Sequence, residues 1–557
     1  MTANCLPQGI LLLLITALLL IGSTEETERR VRSLYERGEW AEAVRVASQA
    51  GSRSAGTSFY EGLALARLGR FEEAEQAFLD GWTAAPRDKR FAIELAGVAY
   101  RQQNRAAAKG YLHRALRLDP DDNYANDFLG TLYLLDGNLA AALRYWNRIA
   151  KPLVENLLFS PPLDLDPVLR DRTFTLSPGQ VFTTARLRTI EANLARLAIL
   201  ADYHFGLSPA RDQRFDVTFR SLETAPIVGG RLGKLLPFVR GLPYRTVFVD
   251  RSNIGRHAVN FSSLWRWDRN KRRIALDLSG PFRLNPYWRY QLIADARDEH
   301  WDLSRTFRGA QAGLDRLRLQ RLELGAEMAF GLSARLQWTT GLYVAARRFR
   351  NGAGGTAFAN SWSFEQRNKM DYGLWTWPER RVRIDTSGRL HTGKTFADLP
   401  GRFAVAEGVL KALWYPQSQG EKITVNAAIR AGKTFGSLPF DEYFMLGMER
   451  DNDLWLRGHV GTRDGRKGNA PMGTDYTLSQ LDVSRTVMEL PFFRLQVGPF
   501  FDTGRIADPS SQFGSRGWMQ DTGLQARIRT IGRMTWTFVY GRDLRDGRGA
   551  FYTAVSR

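Results

Sequence analysis

The chain has 557 residues, 44% hydrophobic and 24% charged, with a formal net charge of +20 and a mean hydropathy of −0.33. Its one cysteine, Cys5, excludes an intrachain disulfide, and one cysteine with six scattered histidines excludes a zinc cluster of the usual spacing. A helical membrane protein is excluded too, because it needs runs of about 20 apolar residues.

The longest apolar run, Ile10 to Ile21, is too short to span comfortably, ends in Gly22-Ser23, and is followed by the polar Thr24-Glu25-Glu26-Thr27. It reads as a secretory signal peptide over 1–23, although no Lys or Arg precedes it. Export makes nucleic acid an unexpected partner despite the positive charge. The arginines are spread along alternating strands, which suits an outer-membrane lipid surface with lipopolysaccharide, or a polar barrel lumen.

Residues 28–152 repeat with a period of 34. Gly69, Gln103 and Gly137 are so spaced, as are Ala74, Ala108 and Ala142, and Pro86 and Pro120. Small residues are expected to let paired helices approach closely, and each proline to end a second helix. Leu129, Gly130, Tyr133, Gly137, Ala142 and Trp146 fill the third unit, whose opening aromatic position is instead Asn126. A shorter unit, Arg37 to Ala43, starts the array. The segment resembles a tetratricopeptide array, an α-solenoid. The resemblance implies either a stacked spacer or a concave surface for periplasmic protein partners.

Between 170 and 224 the pattern changes. Arg172 to Leu176 reads as a strand, Ser177 to Gln180 as a turn, and Leu187, Ile190, Leu194 and Leu197 recur at helical spacing. A strand follows Tyr203-His204, then a turn at Pro209, then Phe215, Val217 and Phe219 in alternation. This order resembles a POTRA domain, the small α/β periplasmic module that precedes barrels of the BamA/TamA outer-membrane assembly superfamily.

From about 240 to 557 short alternating strands are separated by Gly, Asp, Asn and Arg turns. Ile274, Leu276 and Leu278 alternate with Ala275 and Asp277; Leu524, Ala526 and Ile528 alternate with Gln525, Arg527 and Arg529. One face is apolar and the other charged, as lipid-out, polar-in strands require. A soluble sandwich would turn the same pattern inside out. Export, the aromatics (Trp265, Trp267, Trp375, Trp377, Trp536, Tyr540) and the length favour an antiparallel transmembrane β-barrel of about 16 strands.

Leu438 to Gly447 leads to Leu456-Arg457-Gly458-His459, and later Phe500-Phe501-Asp502-Thr503-Gly504 appears. These stretches resemble the BamA/TamA (bacterial surface antigen) superfamily, which carries an aromatic-Leu-Gly stretch, an Arg-Gly-aromatic loop tip and an F-x-D-x-G strand. The resemblance covers roughly 170–557. It implies that the loop folds into the lumen, that Arg457 pairs with Asp502, and that Gly458, His459, Phe500 and Gly504 belong to the same motif. It also implies a weak lateral seam between first and last strands. The sequence departs from the pattern at His459, where Phe or Tyr is usual, at Met448, where Gly is usual, and in lacking a terminal aromatic residue.

Gly388 to Thr395 satisfies the spacing of a phosphate loop. The segment before it alternates and Pro400 interrupts the segment after it, so the strand and helix that such a loop needs are missing. No nucleophile–histidine–carboxylate cluster stands out. The expectation is a non-enzyme without a cofactor that assists insertion, assembly or translocation of proteins at the outer membrane. The alternative is a porin exporting exopolysaccharide or surface lipoproteins, which would have an open lumen and no inward loop.

Overall fold

The computed structural model describes residues 24–50, 53–223, 245–307, 314–352, 356–397, 400–490, 493–509, 513, 517–530 and 535–556. The signal peptide expected at 1–23 lies outside the described residues. The chain divides into two compact units, Met1–Pro152 and Leu153–Arg557.

The first unit is a succession of helix pairs: α1 (24–36) with α2 (Trp40–Ser48), α3 (Ala55–Arg67) with α4 (Phe71–Ala84), α5 (Lys89–Arg101) with α6 (Arg105–Leu118), and α7 (Asn123–Leu135) with α8 (Leu139–Trp146). The 34-residue period governs their ends. Ser54, Asp88 and Asp122 cap α3, α5 and α7, each side chain accepting a hydrogen bond from a first-turn amide that the helix cannot satisfy. Gly69, Gln103 and Gly137 hold positive φ angles of 77°, 62° and 74° in the turn between paired helices. Gly69 and Gly137 are therefore chain-reversal residues, not the close-approach points expected of them; Gln103 takes the same conformation at some cost.

Close approach falls elsewhere. Ala74, Ala108 and Ala142 are fully buried. A side chain at Gly130 would meet the Trp146 ring at 2.5 Å, and 68 residues earlier one at Gly62 would meet Phe78 at 2.6 Å. Pro86 and Pro120 each follow a second helix by two residues. Asn126 fills its aromatic position by donating to the Pro120 and Asp122 carbonyls at 2.9 Å.

The second unit opens with β1 (Leu153–Ser160), α9 (Pro167–Phe174), α10 (Thr184–Leu197), β2 (Leu200–Pro209) and β3 (Arg214–Glu223). β3 lies between the others, parallel to β1 and antiparallel to β2. Two expectations are corrected. The module's sheet begins at Leu153 rather than near 170, and Arg172 to Phe174 end a helix instead of opening a strand. Asp166 caps α9, and Pro167 sits at its first turn, where a missing amide hydrogen costs nothing. Leu187, Ile190, Leu194 and Leu197 form the buried face of α10.

The long strands come next: β4 (Thr246–Ile254), β5 (Val259–Trp267), β6 (Lys271–Phe282), β7 (Asn285–Trp301), β8 (Leu317–Gly331), β9 (Leu336–Arg350), β10 (Ser361–Trp377), β11 (Val382–Phe396), β12 (Gly401–Trp414) and β13 (Ile423–Gly436). Four two-residue strands then lie in an insertion: β14 (Phe444–Met445), β15 (Thr462–Arg463), β16 (Arg466–Lys467) and β17 (Met472–Gly473). The meander resumes with β18 (Asp475–Leu490), β19 (Phe493–Ala507), β20 (Met519–Thr530), β21 (Thr535–Asp543) and β22 (Gly549–Ser556). β13 pairs directly with β18, and successive long strands are antiparallel around a barrel. Fifteen long strands lie among the described residues.

The sense of the alternation is apolar outward. Leu322, Leu324, Leu342, Val344 and Phe551 are exposed, as are Trp265, Trp267, Trp375, Trp377 and Tyr540. Asp295, Glu323, Arg347, Glu365, Asp502 and Asp521 are buried on the other face. Gly388 to Thr395 lies within the single strand β11, with no helix to receive a phosphate.

Candidate functional site

The insertion 437–474 between β13 and β18 folds into the barrel lumen. Two kinds of contact hold it. The first is apolar: Phe440 packs with Trp301, Phe349 and Phe513, while Leu446 and Leu456 pack with Phe403, Leu478 and Ile506. Met448, where glycine is usual in the resemblance, is fully buried against Phe500, Val539 and Ala550.

The second is ionic, and its polarity reverses along the loop. From 441 to 453 the loop is acidic and the wall basic. Asp441 receives Arg347 at 2.7 Å and Arg321 at 3.2 Å; Glu442 receives Arg347 at 3.1 Å. Glu449 receives Lys271 at 2.9 Å, and Asp451 receives Arg266 at 2.7 Å and Arg273 at 2.6 Å. Thr462 also bonds to Lys271 and Glu449.

At the tip the signs exchange: the loop is basic and the wall acidic. Arg457 donates Nη2 to Asp502 at 2.5 Å and Nε to the other oxygen at 2.8 Å, and its own backbone amide reaches the same carboxylate at 3.0 Å. A bidentate fork of this kind fixes orientation as well as charge. Arg457 also donates to Asp482 and to Gln525, and its guanidinium lies 3.9 Å from the Phe500 ring centroid. The Arg457 side chain is 4% exposed and that of Asp502 fully buried.

The wall carboxylates at the tip form a row. Asp502 of β19 is paired in register with Asp521 of β20, and Asp521 with Asp543 of β21. Like charges directly opposite one another in a sheet repel, so the row requires the cations that the loop brings. Gly458 donates its amide to Asp521, and His459 reaches Asp521 with Nδ1 at 3.1 Å and Asp543 with Nε2 at 3.4 Å.

Glycine is required here for space. A side chain at Gly458 would meet the Asp521 carboxylate at 2.6 Å, and one at Gly541 would strike the Arg457 carbonyl. Gly504 receives Leu446, Leu456 and Leu478 at 3.2–3.4 Å. Arg457, Gly458, His459, Phe500, Asp502 and Gly504 thus stand in one neighbourhood.

Sequence reasoning missed Asp482, Asp521 and Asp543 on the wall and Asp441, Glu442, Glu449 and Asp451 on the loop. A signal was present for some of them. Asp521 and Gln525 lie an even number of residues apart in β20 and share the inward phase that alternation assigns to polar residues. A cavity of about 410 Å³ remains between loop and wall, bordered by Arg367, His391, Glu442, Asp451 and Lys467.

No protein-family model matches the chain, and no curated protein matches it. Similar solved structures include BamA from Haemophilus ducreyi lacking POTRA domains 1–3, with 11% identity and a TM-score of 0.41, covering 72% of this chain and 83% of that one. CdiB from Escherichia coli has 14% identity and a TM-score of 0.44, covering 72% of this chain and 74% of its own. CdiB from Acinetobacter baumannii has 10% identity and a TM-score of 0.43, covering 80% of each.

Proposed function

We propose that the chain is an outer-membrane barrel of the BamA/TamA type that assists insertion, assembly or translocation of proteins. The observation that carries this reading is the loop tip. Arg457 sits inside the lumen on Asp502 of the F-x-D-x-G strand, the juxtaposition that the motif resemblance implies.

Two further features support it. α9, α10 and the segment before α9 contact the turns at one end of the barrel: Arg172 bonds the Arg283 and Leu284 carbonyls, Arg196 bonds Ser333, and the Asp166 amide bonds Arg256. Several connections on that side are short (283–284, 332–335, 378–381), and the longest ones lie on the other (302–316, 351–360, 437–474). Outer-membrane barrels have this asymmetry, with short turns toward the periplasm. The POTRA-like module, and the arm that precedes it in sequence, are accordingly periplasmic, and the tetratricopeptide-like arm recruits protein partners there. Lipid, including lipopolysaccharide, meets the apolar outer face. The work is docking and strand exchange at a seam between β4 and β22, with no catalysis and no cofactor.

One observation favours the export-porin reading. A cavity of about 620 Å³ beside α10 is bordered by Arg196, Arg289, Arg335, Lys369, Arg383 and Lys411, against Glu327, Asp371 and Asp385. Such a vestibule attracts polyanions.

Photo-crosslinking residues placed in β4 and β22 separate the two readings. In intact cells they are expected to capture unfolded outer-membrane protein chains. A barrel that forms no such adduct and co-purifies with polysaccharide is a porin. Recovery of the protein in the soluble periplasm without detergent ends both readings.

A further inference from the structure

Two clusters in the lumen place a histidine between two carboxylates: Glu365, His391 and Glu442, and His459, Asp521 and Asp543. They differ in how their charge is met. In the first, Arg347 lies 2.9 Å from Glu365 and 3.1 Å from Glu442, and Arg367 and Arg321 add contacts at 2.8 and 3.2 Å. The carboxylates there are already neutralised by fixed guanidinium groups, and an incoming cation would be repelled.

The second cluster has no such supply. Among the described residues, the ion pairs of Asp521 and Asp543 are with His459 alone. Their side chains are 0% and 7% exposed, and register fixes them side by side. Asp521 keeps one oxygen, Oδ1, that is buried without a hydrogen-bond partner. Burying a carboxylate oxygen unpaired is costly, and a neutral imidazole leaves the pair with its full double negative charge.

We propose that His459, Asp521 and Asp543 form a binding site for a divalent transition metal, of which zinc is the natural probe. One nitrogen or oxygen atom from each residue lies within 4.8 Å of the others. Zinc–nitrogen and zinc–oxygen bonds of about 2.0–2.2 Å in a tetrahedron put ligand atoms roughly 3.3–3.5 Å apart. The cluster has to tighten toward that size, because Asp521 now lies 3.1 Å from Nδ1 and Asp543 3.4 Å from Nε2, two different ring atoms. The ring now touches one carboxylate with each nitrogen. Binding requires it to release one contact and turn a single neutral nitrogen toward the ion.

Imidazole with two carboxylates suits zinc and its first-row neighbours, and water or Asp521 Oδ1 completes the coordination. The dication cancels both carboxylates, where an imidazolium cancels one. Bound there, it ties the loop tip to β20 and β21, next to the last strand. The site depends on the position of the loop and not on what the barrel translocates.

The test uses the full chain without a polyhistidine tag, purified in detergent, stripped with chelator, and titrated with Zn(II) against a chromophoric chelator. Co(II) is then added for its visible absorption. Wild type is expected to take one equivalent of Zn(II) and to give a ligand-field spectrum with Co(II). His459→Phe, the residue type usual in the resemblance, and Asp543→Asn are each expected to weaken Zn(II) binding by roughly tenfold or more, at least the effect of losing an outer-shell partner. His204→Gln, on an exposed strand of the module, is expected to change nothing.

Heat-modifiable gel migration checks that each variant is folded; if His459→Phe is not, Asp543→Asn and His459→Gln carry the test. A wild type that binds no Zn(II), or folded variants that bind as much as wild type, overturns the proposal and leaves His459 as a side chain bridging two carboxylates.

Discussion

The helical arm and the barrel solve opposite solvent problems with the same residues. In the arm, Phe78, Phe91, Leu95 and Leu112 are buried and most charges lie outside, Glu61 and Asp136 excepted. In the barrel, Leu324, Trp375 and Phe551 are outside, while Arg347, Glu365, Arg457 and Asp502 are buried. The arm gains from removing apolar area from water, about 25 cal/mol per Å². The barrel's outer face gains nothing of that kind from self-association, and its interior must instead balance charge. A void is the fault to which the arm is most sensitive, and an orphaned ion is the corresponding fault in the barrel.

The comparison is broken most directly by removing one group from each interior. Arg457→Ala strands Asp502, leaves Asp482 to Arg527 and Gln525, and is expected to cost roughly 3–5 kcal/mol, read as loss of folded, heat-modifiable protein. Asp502→Ala should cost less, because Asp482 still meets Arg457, and the double variant should fall well short of additive. Phe78→Ala in the arm is expected to cost a similar 3–5 kcal/mol by leaving a cavity, with the barrel's gel migration unchanged. Additive effects at Arg457 and Asp502 would show that the lumen is wet enough to screen them.

Smaller changes sharpen it. Leu324→Arg on the outer face should cost about 2–4 kcal/mol in lipid, measured by denaturant unfolding from bilayers. Gly541→Ala forces a methyl group against the Arg457 carbonyl and should cost about 1–3 kcal/mol; unchanged stability would mean that the tip sits less deeply than described.

The smallest effect is in the arm. Burial pushes the Glu61 carboxyl above its ordinary range. A group raised on folding contributes stability below its unfolded value and loses that contribution as pH rises through its folded one. Glu61→Gln should therefore be more stable than wild type near pH 7, by no more than about 1 kcal/mol, and the advantage should shrink as pH falls. Hydrogen exchange at arm amides reads this, and an advantage that grows toward acid contradicts it.

How much was legible depends on the same contrast. The 34-residue period exposed the repeats because each unit buries the same small residues at the same offsets. It mistook Gly69 and Gly137 for packing residues because a glycine that turns the chain and one that admits a neighbour look alike in sequence. Alternation found the strands but not which face met solvent, since period two is indifferent to the sign of the environment. Arg457 and Asp502 stood out because a motif marks both. Asp521 and Asp543 did not, because their partnership is made by strand register, which pairs residues 22 apart here and is unwritten in either strand alone. Residues 172–174 read as extended from their threonine and phenylalanine, yet Asp166 and Pro167, several residues earlier, had already started a helix.

The reversal of polarity along the insertion also bears on the order of events during folding. Its acidic stretch needs cations from β5, β6, β8 and β9, and its tip needs carboxylates from β18 to β21. Neither set alone accommodates the whole segment, and turned end for end it would set acid against acid at the tip's wall. The docked insertion is therefore a checksum on the meander, valid only when strands from both ends have arrived in the right register. A protease that cuts between residues 441 and 459 should distinguish unfinished barrels from finished ones, and protection should appear late and all at once.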